Sequence, residues 1–118
     1  SLESNLSENN LGVVDADITE PKFAINNDKQ KIFVTAKEGN FIDNDNILLK
    51  KNVKFESKNF SINSDNVIFN RKKQTAESKE LSLFTSEKTK IFSEGFDIYD
   101  SGKKIKFYGN VKLIIKWR

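Results

Sequence analysis

Apolar residues recur at every second position over most of this chain, in short runs separated by polar clusters. Val14, Ala16 and Ile18 form the first such face, and Phe23 and Ile25 follow beyond Pro21. Ile32, Val34 and Ala36 continue the pattern, as do Ile47 with Leu49 and Val53 with Phe55. Successive side chains of a strand point to opposite faces, so a period of two predicts half-buried β-strands. Between the runs lie Asn26-Asn27-Asp28, Asp43-Asn44-Asp45-Asn46, Asn70-Arg71-Lys72-Lys73 and Asp100-Ser101-Gly102. Asn, Asp and Gly tolerate left-handed backbone angles and supply local hydrogen bonds, which marks these clusters as turns. No long stretch holds an i, i+3, i+4, i+7 stripe, so the chain reads as all-β.

The alternation itself repeats. Ile32-x-Val34-x-Ala36-x-x-Gly39-x-Phe41 shares its rhythm with Phe60-x-Ile62-x-Ser64-x-x-Val67-x-Phe69 and with Thr89-x-Ile91-x-Ser93-x-x-Phe96-x-Ile98. In each, two free positions after a small residue shift the phase by one, and a bulge or sharp bend there returns both halves to one face. A second part follows as Ile47-x-Leu49-x-x-x-Val53-x-Phe55 and as Ile105-x-Phe107-x-x-x-Val111-x-Leu113. The middle unit keeps Leu81 and Leu83 but carries Thr75 and Glu77 where its neighbours are apolar. The period is roughly 28–30 residues, repeated about three times after an incomplete unit at Val14–Ile25. Stacked β units of this kind do not close into a barrel, so both end strands stay open. One end is the region of Val14, Ala16, Ile18, Phe23 and Ile25; the other holds Leu113, Ile115 and Trp117. The pattern leaves two uses for that last run: addition of a partner strand, or an edge blunted by Lys112 and Lys116.

Composition removes several functions. The 118 residues suit one domain, with polar residues 1–12 as a flexible leader and 13–118 as the folded unit. There is no His and no Cys, hence no Ser–His–Asp triad, no Cys nucleophile and no zinc site of the usual nitrogen–sulfur kind. No catalytic residue, metal ligand or cofactor is predicted. The net charge is +3, but among 20 basic residues only Arg71 and Arg118 are Arg, which argues against specific reading of nucleic acid. Asp43, Asp45, Asp97 and Asp100 fall in turns, where solvation explains them better than a glycosidase pair does. No run approaches the ~20 apolar residues of a membrane span. Phe occurs ten times, and Phe33, Phe84, Phe92 and Tyr108 lie off the buried phase, where exposure is expected.

The run from Ile91 to Gly102 (IFSEGFDIYDSG), followed by Ile105 to Val111 (IKFYGNV), resembles the end of the LptC family. Ser93–Phe96 and Phe107–Val111 carry most of the likeness, and the Phe33–Ala36 and Ile62–Ser64 runs sit where that family shows strands ending in Ala or Ser. The resemblance spans about Ile18 to Ile115. These proteins are periplasmic components of the lipopolysaccharide export machine of Gram-negative bacteria, related to LptA/OstA-type β-jellyrolls. The resemblance implies an open β-jellyroll of two antiparallel sheets that carries lipopolysaccharide and catalyses nothing. It implies docking on the inner-membrane transporter LptBFG through the N-terminal edge, about Val14 to Ile25. It further implies docking on LptA through the C-terminal edge, about Ile105 to Trp117, with head-to-tail self-association as a related use. The family is held to the inner membrane by an N-terminal helix absent from this chain. A soluble LptA-like bridge is the alternative, and the sequence upstream of Ser1 separates the two: an apolar helix, or a cleavable signal peptide.

The expected lining of the lipid groove is the inward set of the repeat. Each exposed CH₂ costs about 0.8 kcal/mol, so a twelve-carbon acyl chain in water carries a penalty on the order of 10 kcal/mol. The first unit contributes Ile32, Val34, Ala36, Phe41, Ile47, Leu49, Val53 and Phe55. The second gives Phe60, Ile62, Val67 and Phe69, and the third Ile91, Phe96, Ile98, Ile105, Phe107, Val111 and Leu113. Ala36, Ser64 and Ser93 are the small positions at which such a groove is expected to widen. The rival readings are a structural β-repeat scaffold with a dry core and no ligand, and a β-domain that stacks single-stranded nucleic acid on outward aromatics.

Overall fold

The computed structural model describes residues 17–116, so the predicted leader, Val14, Ala16 and Trp117 lie outside the described residues. Twelve antiparallel strands follow one another with no helix between them. They are β1 (Asp17–Thr19), β2 (Lys22–Asn26), β3 (Lys31–Thr35), β4 (Glu38–Phe41), β5 (Asn46–Glu56) and β6 (Phe60–Asn70). The rest are β7 (Thr75–Ser78), β8 (Ser82–Ser86), β9 (Thr89–Ser93), β10 (Gly95–Tyr99), β11 (Lys104–Tyr108) and β12 (Lys112–Ile115). The four Asn/Asp-rich clusters form the turns expected of them.

The pairing resolves into two layers. The first has the order β1-β4-β5-β6-β7-β10-β11, using the N-terminal half of β5 and the C-terminal half of β6. The second has the order β2-β3-β5-β6-β8-β9-β12, using the other halves of the same two strands. The two expected sheets are therefore one continuous sheet, folded along a line that β5 and β6 cross and at which the other strands end or begin, and it does not close on itself.

Each crossing is a local backbone event. β1 turns into β2 at Glu20 (φ 50°) and Pro21, and β11 into β12 at Gly109 (φ 80°) and Asn110 (φ 46°). In β5, Lys50 pairs with Asn66 and Val53 with Ser64, so Lys51 and Asn52 face Asp65 alone. Both residues have positive φ (68° and 52°), which makes this a bulge that bends the strand. The breaks at Lys37 and Glu94 and the phase shift at Asp65–Asn66 are the two free positions of the repeat.

Small residues line this fold, because the layers converge there. Ala36, Ser64, Ser78, Ser82 and Ser93 are all buried. Ser64 Oγ lies 3.0 Å from Ser78 Oγ and 3.2 Å from Ser82 Oγ, and Ser82 Oγ donates to the Glu80 carbonyl (2.8 Å). Thus Ala36, Ser64 and Ser93 mark the sealed corner, not a widening.

The middle unit also differs from expectation. Ala76, Ser78, Ser82 and Phe84 point inward, whereas Leu81 is exposed and Leu83 faces outward. Spacing explains this: Ala76 to Ser82 is the same step as Ile47 to Val53 and Ile105 to Val111. Phe84 occupies the position of Phe55 and Leu113, so its expected exposure is corrected to a place against the core.

Candidate functional site

Directly opposed residues on neighbouring strands share a face, so the register converts the repeat into rows. Across the inner face of the second layer, Phe23 opposes Val34, Val34 opposes Phe55, and Phe55 opposes Ile62. The row continues through Phe84 and Ile91 to Leu113. In the first layer Phe41, Ile47, Phe69, Ala76, Ile98 and Ile105 form the corresponding row. The expected lining residues thus do fall on one continuous apolar surface, but their exposure is graded along it.

The centre is filled. Ile32, Val34, Ile47, Leu49, Val53, Phe55, Ile62, Val67, Phe69, Phe96 and Ile98 are essentially inaccessible, and Ala36 is buried at the corner. Aromatic rings bridge the layers: Phe55 meets Phe96 edge-on at 5.6 Å, and Phe23 meets Phe69 at 5.3 Å. Ile25, expected at the N-terminal edge, points into this core although its strand β2 pairs only with β3. Ile18 and Phe23 are half-buried against the same cluster.

One stretch of the open side is latched. The Asn26 amide donates to Gln74 Oε1 (3.0 Å), and Asn27 Nδ2 donates to the Ser101 carbonyl (2.9 Å). Gly102, at φ 85°, lets the β10–β11 turn press on Ile25 and Ile32; a side chain there would meet Ile25 at 2.8 Å.

The layers do not lie in register over one another. Phe23 of β2 meets Phe69 of β6, Phe55 of β5 meets Phe96 of β10, and Phe84 of β8 meets Phe107 of β11. In these three contacts the second-layer strand lies over a first-layer strand two or three places further along. This offset carries β9 and β12 past the end of the first layer. Phe60, Phe84 and Phe107 form an aromatic rim there, with centroids 5.4 Å apart in both contacts. Beyond the rim Ile91 is half-buried, and Val111, Leu113 and Ile115 are 50%, 56% and 55% exposed. At the opposite end Phe41 is half-buried beneath the Arg71 guanidinium, 4.9 Å from its ring centroid; Ile105 is half-buried in β11.

Of the carboxylates expected in turns, Asp43, Asp45 and Asp100 lie in them, whereas Asp97 lies within β10 and faces outward. Asp43 accepts bonds from the Asp45 and Asn46 amides, both 2.8 Å, and from the Asn46 side chain. Those bonds, the side-chain one foremost, hold its carboxyl below the ordinary value of 3.8. Glu77 and Asp97 oppose each other on β7 and β10, but on the outer face, away from the apolar surface. The arrangement offers an apolar surface, latched and filled in the middle and bare at the C-terminal end.

No individually curated protein matches the chain. A family model does, described as lipopolysaccharide-assembly, LptC-related, over residues 2–116. That family works in lipopolysaccharide transport, and the open, all-β, helix-free jellyroll described above is the fold expected of it. The chain belongs to the LptC-related family of lipopolysaccharide-assembly proteins.

Proposed function

We propose that this domain receives lipopolysaccharide from the inner-membrane transporter LptBFG and passes it to LptA, shielding the acyl chains along its inner face. The bare inner surface of β9 and β12 carries this reading. Ile91, Leu113 and Ile115 expose apolar area that a self-sufficient domain covers, and they continue the buried row without a break. Acyl chains seat first at the rim of Phe60, Phe84 and Phe107. They go deeper only if the latched layers part. The N-terminal edge, β1 and β2, is the docking strand for the transporter, and β11 and β12 the docking strand for LptA, by strand addition. The domain supplies shape and apolar surface on the periplasmic side of the inner membrane; movement is driven by the transporter.

A photo-crosslinking residue at Phe84, Ile91 or Leu113, tested in cells that export lipopolysaccharide, is expected to capture it. Capture only from outward positions such as Lys54 or Lys72 overturns the groove. The second reading, a dry structural scaffold, draws on the interlocked Phe55–Phe96 and Phe23–Phe69 pairs. It predicts no lipid capture from any inner position.

A further inference from the structure

The outer faces of the two layers carry different charge. On the first layer the outward positions include Asp17, Glu38, Glu77 and Asp97 against Lys50, Lys104 and Lys106. On the second they include Lys22, Lys31, Lys54, Lys90 and Lys112, and the only carboxylate among its strand residues is Glu56, 3.6 Å from Lys54. Among the outward strand positions, positive charge is therefore concentrated on one face.

Apolar side chains interleave with these lysines. The Phe33 ring is 43% exposed, with the ammonium groups of Lys22 and Lys31 at 5.6 and 5.7 Å from its centroid. Phe92, 41% exposed, stands directly opposite Lys112, and Ile114, 44% exposed, directly opposite Lys90. Phe33 also walls a surface cavity of about 550 Å³ together with Lys29, Lys31 and Lys58.

We infer that the outer face of the second layer docks on an anionic phospholipid bilayer. A face that alternates lysine with exposed Phe and Ile matches the bilayer interface. Apolar groups enter the boundary between headgroups and acyl chains, and the long lysine stems carry their charge back to the phosphates. Lysine supplies a point charge suited to a diffuse anionic surface, not the fork that reads base edges. Ile114 gives a nucleobase no ring to stack on, so the face fits a membrane better than a nucleic acid. The inference rests on none of the groove argument, because these side chains point away from the interior.

Vesicle co-sedimentation of the full chain tests it. The chain is expected to partition onto vesicles containing about 30% phosphatidylglycerol, not onto pure phosphatidylcholine, and to be released by about 0.5 M NaCl. Reversal of Lys22→Glu with Lys31→Glu is expected to weaken partitioning at least about tenfold. Lys104→Glu with Lys106→Glu, which changes net charge equally on the other layer, is expected to leave it within about twofold. Both pairs are exposed or edge positions, and circular dichroism confirms that each variant is folded. Equal partitioning onto neutral vesicles overturns the inference, as does absence of binding to the anionic ones. So does an equal loss from both charge reversals, or tighter binding to a single-stranded oligonucleotide than to the anionic vesicles.

Discussion

Gly95 and Tyr108 stand directly opposite each other on β10 and β11, and the tyrosine ring fills the space that a side chain at position 95 would need. A Cβ there would lie 2.3 Å from the ring's Cε1 and 2.7 Å from the Ser78 carbonyl oxygen. The phenol donates to that same carbonyl at 2.8 Å. Burial, then the charges of Asp97 and Glu77, push its hydroxyl above the ordinary value of 10.0. Three strands of the first layer, β7, β10 and β11, are thus fastened by one ring over one glycine.

Gly95→Ala is expected to lower stability by about 1–3 kcal/mol through overpacking, and Tyr108→Phe by about 1 kcal/mol through the lost hydrogen bond. Urea unfolding of both variants checks this. A Gly95→Ala protein as stable as the parent would show that the ring is free to move aside.

Phe55 and Leu113 occupy the same place in the first and third repeats, yet one is enclosed and the other bare. Phe55→Ala is expected to cost about 3–5 kcal/mol, whereas Leu113→Ala should stay within about 0.5 kcal/mol. Lipid capture should be affected in the opposite order once folded protein is compared. Equal destabilisation by the two changes would mean that β12 is covered in solution.

Asp43 sets the pH dependence of the β4–β5 turn. Its carboxyl is held below 3.8 in the folded chain, so its stabilising contribution is present above the unfolded value and is lost as pH falls through the folded one. The stability difference between the parent and Asp43→Asn should therefore be constant near neutrality and shrink below about pH 4. Denaturation series at several pH values measure it; a difference that grows in acid would contradict the assignment.

Ending the chain after Gly109 removes β12 and bares the edge of β9. Circular dichroism is expected to show a folded β protein of reduced stability, and a pull-down should show loss of LptA binding. Undiminished capture of LptA would place its docking strand elsewhere.

Turns and strand phases were legible from local chemistry, because Asn, Asp and Gly mark bends and a period of two marks faces over a few residues. The middle unit shows where that reading failed. Ala76, Ser78 and Ser82 take inward positions without an apolar signal, since the separation of the layers, not hydrophobicity, selects small residues at the corner. The six-residue step shared with Ile47–Val53 was the available clue. Likewise, no pattern distinguishes Phe55 from Leu113 in sequence, because enclosure depends on how far one layer slides over the other. Ile25 lies on a strand paired on one side only, but its direction into the core follows from the layer above it. The split of lysines between outer faces emerges only once every register is known.

The slide between layers leaves the C-terminal end shaped like one half of a lap joint. At the C-terminal end the second layer runs on past the first, and among the described residues nothing roofs the undersides of β9 and β12. What would serve as that roof is a projecting first layer. A neighbour bearing one therefore contributes more than a bonded edge: it finishes the sandwich. A lipid passing such a seam, as proposed above, would have its floor from one molecule and its ceiling from the other.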